Sequence, residues 1–464
     1  MVKKIERAVL VLILCLSTWL AYSIFEDQFS DFVSGVKNAV QDAAGRDETE
    51  ESRETEETKE TAEHQETEDQ PAGNRSHYDA REAGRAPVVK DQMEFGTCWA
   101  VTASSALEAA LLPGEHLVFS ADHISMKNTY GRGQEEGGGS AMIMSYLAGW
   151  MGPVTEEEDP YGDGYSPDGL EPVRHIQEIQ MLREKDLQAV KELVYRCGSV
   201  SSSFYMDMEN SAHSSVFYNE FQYAYCYNGE KEANHDVLII GWNDQYPKEN
   251  FSVDVKRDGA FICQNSWGDR FGENGVFYVS YEDAWIGSSC TAYTAVEPTD
   301  NYQYIYQTDL CGWIGQIGYE SEQCFFANAY TAAGQEKLSA VGFYATGQDT
   351  RYTVYVAENF TNRLSLSGKV PAASGTLQNP GYYTVDLDQN FSLEKGQRFA
   401  VIVEICTPGS DYPVAAEYQA DENSSNVTIE DGEGYLSTNG FSWENTEESY
   451  GCNVCLKAYT VNDD

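Results

Sequence analysis

The chain has 464 residues, 41% of them hydrophobic and 12% aromatic, so it has room for two or three folded domains. Only 30 lysines and arginines stand against 75 aspartates and glutamates, and the net charge of −45 excludes nucleic acid and leaves neutral or cationic partners. The 11 cysteines are too few in a chain of this length for a dense disulfide scaffold.

The first 25 residues predict a signal sequence or a membrane anchor. Three basic residues precede an uncharged stretch at residues 8–25, which at about 1.5 Å per helical residue is just long enough to cross a thin bilayer core. The basic flank predicts that the N-terminus lies inside and everything else outside. A cleavage site at Ala21-Tyr22-Ser23 stays open, but we favour a retained anchor because the apolar stretch continues past it. The predicted location is the extracellular face of the membrane or the medium.

Residues 26–77 are predicted to form a tether. Apolar residues near its start recur at helical spacing and indicate a short amphipathic helix; they are Phe29, Phe32, Val33, Val36 and Val40. From residue 47 to residue 69, 12 of 23 residues are acidic. Such a run, with few apolar side chains to bury, is predicted to stay extended and disordered.

The most informative segment begins at Gln92 and contains Cys98. Residues 99–112 are rich in Ala and Leu without an internal Gly or Pro, which predicts a helix that ends before Pro113-Gly114. Cys98 would then lie at the positive end of the helix macrodipole, which favours a thiolate and lowers the thiol pKa. Gln92, six residues upstream, carries an amide that can donate to an oxyanion. This spacing indicates a nucleophile and its oxyanion donor.

A base and an orienting group follow later in the chain. His235, one of seven histidines, opens a continuous apolar run typical of a buried strand, and such a strand holds an imidazole in one place. A second apolar run ends in Asn265, close to Trp267. The Asn265 amide can orient the imidazole while the indole shields their hydrogen bond from water. The order along the chain is then Gln, Cys, His, Asn.

These motifs resemble the papain family of cysteine peptidases, and the resemblance covers residues 78–296. It implies an α+β catalytic domain with a helical lobe and a barrel-like lobe. It implies that Cys98 attacks the peptide carbonyl and that His235 carries the proton to the leaving amine. Asn265 would fix the imidazole ring, and Gln92 would hold the oxyanion together with the backbone N–H of the nucleophile. Substrate-binding roles are implied for a second set of residues, which comprises Gly138, Gly139, Ser203, Asn234 and Trp267.

Two features concern the other cysteines. The family usually carries a further cysteine three residues before the nucleophile, but Phe95 stands there, so the disulfide made by that cysteine is absent. Cys452 and Cys455 form a CxxC pattern near the C-terminus. Because no matching pair accompanies it, we favour two buried thiols over a redox or zinc site.

The last part of the chain, residues 297–464, predicts an all-β sandwich. Short alternating runs separated by Gly, Asn and Asp predict strands at residues 338–345, 352–357, 382–387 and 399–405. The position of this region behind the papain-like domain, and its final residues, resemble the lectin-like domain of some bacterial surface cysteine peptidases. An exposed Trp313 or Trp443 could stack on a sugar ring, with a place in the core as the alternative.

The leading hypothesis is a secreted or membrane-tethered cysteine endopeptidase that cleaves proteins or peptides through a Cys98 thiolate–His235 imidazolium pair, without a metal or an organic cofactor. Two alternatives stay open: a surface adhesin or carbohydrate-binding protein on a peptidase scaffold, and a cysteine acyltransferase or transpeptidase. The complete set of four polar groups favours an enzyme, because a scaffold has no need of them. Sequence does not separate water from an amine as the acyl acceptor.

Overall fold

The structure is a computed structural model that describes residues 75–429 and 432–463. The predicted anchor at residues 1–25, and the tether as far as residue 74, lie outside the described residues. Within the described part, no helix is both long enough and apolar enough to cross a bilayer. The α-helices are α1 (Cys98–Leu111), α2 (Ala121–Met126), α3 (Ser140–Ala148), α4 (Leu187–Cys197) and α5 (Thr446–Tyr450).

The strands divide between the two halves of the described chain. Those of the N-terminal half are β1 (His77–Asp79), β2 (His175–Leu182), β3 (Val200–Phe204), β4 (Tyr218–Asn219), β5 (Ala224–Tyr225), β6 (His235–Asn243), β7 (Ala260–Gln264), β8 (Val276–Ser280) and β9 (Cys290–Glu297). Those of the C-terminal half are β10 (Tyr304–Tyr306), β11 (Gly315–Ile317), β12 (Gln323–Thr331), β13 (Glu336–Ala345), β14 (Thr350–Ala357), β15 (Val370–Leu377), β16 (Gly381–Leu393), β17 (Arg398–Cys406), β18 (Val414–Glu417), β19 (Gly434–Ser437), β20 (Glu444–Asn445), β21 (Asn453–Val454) and β22 (Leu456–Asn462).

Helix α1 is the buried centre of the N-terminal half. It begins at Cys98 and ends at Leu111, just before Pro113, so the predicted helix is confirmed. Its many alanines let neighbouring elements approach closely, and nearly all of its residues are buried. The one buried carboxylate of this helix, Glu108, lies 2.6 Å from the ammonium group of Lys90. This ion pair offsets the cost of placing a charge inside the core.

The two largest hydrophobic cores of the described N-terminal half belong to two lobes, as predicted. The first core lies around α1, α2 and α3, with Trp99, Leu107 and Ile124 among its buried residues. The second lies between α4 and the sheet that contains β3, β6, β7 and β8, with Phe204 and Trp242 among its residues. The apolar run after residue 235 is strand β6, which pairs with β3 on one side and β7 on the other. Strand β7 ends one residue before position 265.

The C-terminal half is a β-sandwich, as predicted. A six-stranded sheet in the order β15-β14-β17-β12-β19-β20 faces the strands β22, β13 and β16 across a shared core. Phe326, Val354 and Val403 from the first sheet meet Val341 and Phe343 from the second in this core. All four predicted strands are present; three are slightly longer than predicted, and β16 extends six residues further toward the C-terminus.

Neither tryptophan proposed for sugar stacking lies on the surface of the sandwich. Trp313 is 9% exposed and Trp443 is 4% exposed, so both belong to the core, which was the alternative interpretation. Cys452 and Cys455 are buried as well, and every described cysteine is a free thiol.

The two halves share one sheet. In the described residues this 13-stranded sheet has the order β10-β22-β13-β16-β2-β9-β3-β6-β7-β8-β5-β4, with β1 added to β6. The junction is the antiparallel pair of β16 with β2, in which Gly381 faces Gln180 and Tyr382 faces Ile179. A Cβ atom at Gly381 would overlap the carbonyl oxygen of Ile179, and its φ of +149° also favours glycine. Backbone hydrogen bonds thus join the sandwich to the N-terminal half.

Candidate active site

Cys98 and His235 face one cleft. Cys98 is the first residue of α1 and His235 is the first residue of β6, and these two elements pack together. Beside the cleft, the Thr102 hydroxyl of α1 donates to the carbonyl oxygen of Asp236, 3.2 Å away. The cleft has a volume of about 650 Å³, and its lining includes Gln92, Cys98 and His235. The structure thus brings together residues that are 137 positions apart in the chain.

The imidazole of His235 is held by Asn265. Nε2 of His235 lies 2.8 Å from Oδ1 of Asn265, and the same oxygen accepts from the backbone N–H of Ser266 at 2.9 Å. Because that atom accepts from both, Nε2 carries the proton, and Nδ1 is the nitrogen left for the thiol. The ring of Trp267 lies 5.1 Å from the imidazole and is 7% exposed. The buried indole of Trp267 therefore packs beside the imidazole, and its shielding of the hydrogen bond from water stays a prediction.

Gln92 is fixed by two hydrogen bonds of its side chain. Its Oε1 accepts from the hydroxyl of Ser266 at 2.6 Å, and its Nε2 donates to the carbonyl oxygen of Phe95 at 2.7 Å. A primary amide has two N–H groups, so one remains for an oxyanion in the cleft. The role of Ser266 was not predicted, although it lies within the Asn265-Ser266-Trp267 motif.

The pKa of the nucleophile shifts against the prediction. Burial, followed by the charge of Asp236, raises the pKa of the Cys98 thiol to about 12. The backbone N–H groups at the start of α1 act in the predicted direction, but burial outweighs them. Burial also lowers the pKa of His235 to about 4, against the opposing effect of its hydrogen bond to Asn265. Each group alone is therefore neutral at pH 7: the helix terminus lowers the pKa of the thiol as predicted, but the net pKa is raised because burial has the larger effect.

We expect Asp236→Asn to make Cys98 more reactive. The variant removes a negative charge beside the thiol and keeps the shape of the side chain, so the pKa of Cys98 should fall. Because alkylation requires the thiolate, the rate of modification by iodoacetamide at pH 7.5 should rise roughly three- to tenfold. Ser203→Ala removes the hydroxyl that donates to Asp236 at 2.5 Å and serves as the comparison. An unchanged rate in Asp236→Asn would show that this carboxyl is already protonated.

The predicted substrate-binding residues fall at different places. Gly138 and Asn234 line the cleft, as does Trp267. Gly138 packs on the indole of Trp99 so closely that a Cβ atom would overlap the ring. Gly139 lines a second cavity instead, and the Ser203 hydroxyl donates to Asp236 and is not part of the cleft lining.

Asn234 carries a pair of hydrogen bonds to its neighbouring loop. Its Oδ1 accepts from the backbone N–H of Met206 at 2.8 Å, and its Nδ2 donates to the carbonyl oxygen of the same residue at 3.1 Å. Both polar groups of this side chain are therefore engaged with the backbone. Asn234 contributes to the cleft by fixing the loop that forms one of its walls.

An acidic rim that the motifs did not reveal surrounds the nucleophile. The described residues lining the cleft include five carboxylates and neither lysine nor arginine; the carboxylates are Glu94, Glu135, Glu136, Asp207 and Glu209. Their negative potential attracts cations and repels anions. The only signal for this rim in the sequence is the overall acidity of the chain.

Comparison with known proteins identifies both halves. Residues 75–297 match the family model described as papain family cysteine protease. Residues 75–297 are a papain-family domain. Residues 305–460 match the model described as lectin like domain, so the chain combines the two domains that the sequence predicts.

Groups of three or more potential metal-ligating side chains were not found among the described residues.

Curated relatives match the papain-family domain. Cathepsin K of Gallus gallus is 31% identical over 207 residues, which are 42% of this chain and 56% of that protein. Pro-cathepsin H of Mus musculus is 25% identical over 228 residues, which are 47% of this chain and 64% of that protein. The chain thus spans between about half and two thirds of the length of these relatives.

Two solved structures match both domains of the chain. The clostridial cysteine protease Cwp84 after propeptide cleavage is 26% identical, with 83% of this chain and 99% of that chain covered and a TM-score of 0.74. The cysteine protease and lectin-like domains of Cwp84, a surface layer associated protein of Clostridium difficile, are also 26% identical. Here 84% of this chain and 89% of that chain are covered, with a TM-score of 0.71. The two-domain architecture is therefore shared with a bacterial surface protein.

Proposed function

We propose that the protein is a cysteine endopeptidase that hydrolyses peptide bonds. The observation that carries the proposal is the 2.8 Å hydrogen bond from His235 Nε2 to Asn265 Oδ1 on a ring that shares one cleft with Cys98. This bond leaves Nδ1 as the nitrogen available to the thiol. An adhesin on a peptidase scaffold has no use for an imidazole held in this way.

The reaction begins with transfer of the thiol proton. His235 Nδ1 takes the proton of Cys98, which forms the thiolate–imidazolium pair, and the thiolate Sγ then attacks the carbonyl carbon of the substrate. The carbonyl oxygen becomes an oxyanion that accepts from the Cys98 backbone N–H and from the free N–H of Gln92. The C–N bond then breaks, His235 gives its proton to the leaving amine, and a thioester remains.

Hydrolysis of the thioester completes the cycle. His235 takes a proton from a water molecule, whose oxygen attacks the thioester carbonyl. The C–S bond breaks, the product leaves as an acid, and Cys98 regains its proton from His235. No redox step occurs in this cycle. The medium therefore has only to keep the Cys98 thiol reduced.

The substrate is a polypeptide with neutral or basic residues near the scissile bond. The five carboxylates of the acidic rim favour lysine and arginine side chains and disfavour acidic ones. We also propose that the enzyme acts outside the cell, attached through residues 1–25, in keeping with the surface location stated for Cwp84.

Carbohydrate binding by the lectin-like domain is a separate proposal. A polar cavity of about 760 Å³ in this domain offers a place for it, and its lining includes Asn362, Arg398 and Tyr435. Hydrogen-bonding side chains next to an aromatic ring are the groups that sugars use. This cavity, and neither of the two buried tryptophans, is the candidate site.

The full-length protein under reducing conditions provides the test of hydrolysis. We expect a thiol-directed epoxide to label Cys98 and to stop cleavage of a mixture of unfolded polypeptides. Mass spectrometry should find products whose summed mass equals that of the substrate plus one water, with lysine or arginine enriched near the new ends. Products joined to an added amine would instead indicate a transpeptidase, and an unlabelled Cys98 without any product would favour the adhesin.

A further inference from the structure

A second cavity lies where the lectin-like domain meets the papain-family domain. It has a volume of about 390 Å³. Its lining on one side includes Arg132, Gly138 and Met142, and on the other side Trp313 and Ile314 of the lectin-like domain. Gly138 also lines the cleft of Cys98, so the cavity continues that cleft.

The two walls of this cavity are held together by hydrogen bonds. The hydroxyl of Tyr130 donates to the carbonyl oxygen of Cys311 at 2.7 Å, and the hydroxyl of Thr129 donates to that of Leu310 at 3.0 Å. In the opposite direction, the side-chain amide of Asn426 donates to the carbonyl oxygen of Thr129 at 3.1 Å. The cavity is therefore built into the fold by both domains.

The surface of the cavity suits an apolar side chain next to a peptide backbone. Trp313, Ile314 and Met142 supply apolar area. Nε of Arg132 is buried without a hydrogen-bond partner among the described residues. The carboxylate of Asp421 is already engaged, because it accepts from backbone N–H groups of its own turn. An unsatisfied donor beside an apolar surface matches a backbone carbonyl followed by a hydrophobic side chain.

The direction of the substrate decides which segment reaches this cavity. His235 must contact the leaving amine, so the residues after the scissile bond pass the His235 side of the cleft. The residues before the scissile bond then run along the other side, over Gly138. They continue from there toward Ile314 and Ala420 of the lectin-like domain.

We propose that this cavity binds the substrate segment upstream of the scissile bond and takes an apolar or aromatic side chain against Trp313 and Ile314. Arg132 donates to a carbonyl oxygen of the same segment. The lectin-like domain is thus part of the substrate-binding surface of the peptidase, a role that rests on the proposed function. At this cavity the lectin-like domain binds polypeptide, and this role is independent of any carbohydrate bound in its other cavity.

Two peptides with the same cleavage site test the proposal. One has two residues before the scissile bond, and the other has five, with Phe or Leu at the third or fourth position upstream. We expect the wild type to cleave the longer peptide with a kcat/KM roughly tenfold or more above the shorter one. In Ala420→Trp the new indole fills the cavity, so this ratio should fall toward one while cleavage of the short peptide is unchanged.

Controls separate this proposal from the proposed function. Ala333→Trp places the same side chain at an exposed alanine of the lectin-like domain outside the cavity lining and should keep the ratio. If Ala420→Trp unfolds on heating earlier than wild type, Ile314→Asp provides the second test, and it too should lower the ratio. Equal cleavage of both peptides by wild type, or a ratio unaltered in both cavity variants, would overturn the proposal. Failure of the proposed function differs: neither peptide is cleaved, and the epoxide leaves Cys98 unlabelled.

Discussion

Cys98→Ala is expected to lower kcat/KM for peptide cleavage by about 10⁴-fold or more. The variant removes the atom that attacks the carbonyl, and neither His235 nor Gln92 can form a covalent intermediate in its place. Loss of a nucleophile in a catalytic triad has an effect of this size because its members act as a unit. Initial rates on a fluorogenic peptide, with the enzyme concentration measured independently of activity, give the value.

The chain offers a matched control for this substitution. Cys406 is a free and partly exposed thiol like Cys98, but it lies on strand β17 of the lectin-like domain. Cys406→Ala should therefore leave kcat/KM unchanged and should still be labelled by the epoxide at Cys98. Full activity in Cys98→Ala, or equal losses in both variants, would contradict the proposed mechanism.

Three of the four residues proposed for catalysis could be predicted because each stands at or next to the end of a regular element. Cys98 begins a helix that its alanines and leucines specify, His235 begins an apolar strand, and Asn265 follows another. Patterns of this kind are local, so they survive without knowledge of the fold. The order of the motifs, through the family that they resemble, then predicted that α1 and β6 meet in one cleft, although they lie far apart in the chain.

The pKa of Cys98 could not be predicted, because its causes are not local. The helix terminus was visible in the sequence, whereas the burial of the thiol depends on how the two lobes pack around it.

The position of the Ser203 side chain could not be predicted either, because it depends on strand register. Register places Ser203 directly opposite Asp236 on strands β3 and β6, so the hydroxyl donates to the carboxyl and is absent from the cleft lining. A shift of one residue would turn both side chains to the other face.

The union of the two domains was also out of reach. The predicted sandwich is present, but its pairing with β2 joins residues 381 and 180, which are 201 positions apart. The cavity that continues the cleft arises from the same union. The hydrophobic periodicity of a strand predicts the strand itself but not its partner. The sequence patterns of β2 and β16 therefore do not indicate that these two strands pair.

The lectin-like domain contains a buried charge cluster. Asp309 and Lys457 are 0% and 1% exposed, and the ammonium Nζ lies 2.8 Å from the carboxylate. Nζ also donates to Oε1 of Gln307 at 2.9 Å. A third charged group, Glu417, accepts from the backbone N–H of Cys311 at 2.6 Å. The carboxyl of Glu417 thus lies close enough to this pair for the charges of both Asp309 and Lys457 to act on it.

The charge state of this cluster depends on pH. Burial, and then the charge of Asp309, raises the pKa of Glu417 to about 7 from 4.5. A carboxyl whose pKa is higher in the folded than in the unfolded state stabilises the fold fully below the unfolded pKa. This contribution is lost as the pH rises through about 7. At pH 7.5, more negative charge therefore surrounds Lys457 than at pH 5.5.

Lys457→Met is expected to lower the free energy of unfolding by about 3–5 kcal/mol at pH 7.5, because removing one partner of a buried ion pair leaves the other uncompensated. At pH 5.5 the loss should be smaller, since protonation of Glu417 removes one charge. Thermal and urea unfolding at both pH values measure this difference. Lys337→Met is the control: Lys337 lies 2.7 Å from Asp463 but is 33% exposed, so its loss should stay below about 1 kcal/mol.

Adding Asp309→Asn to Lys457→Met should recover much of the lost stability, because the double variant leaves no unpaired charge at this pair. Restoration of stability by a second substitution separates an electrostatic loss from a packing loss, since methionine fills nearly the volume of the lysine stem in both variants. If Lys457→Met and Lys337→Met unfold alike, or the double variant is no more stable than Lys457→Met, the pair does not hold this domain together. Peptide cleavage by folded Lys457→Met should stay near wild type, because the cluster lines neither the cleft nor the cavity beside it.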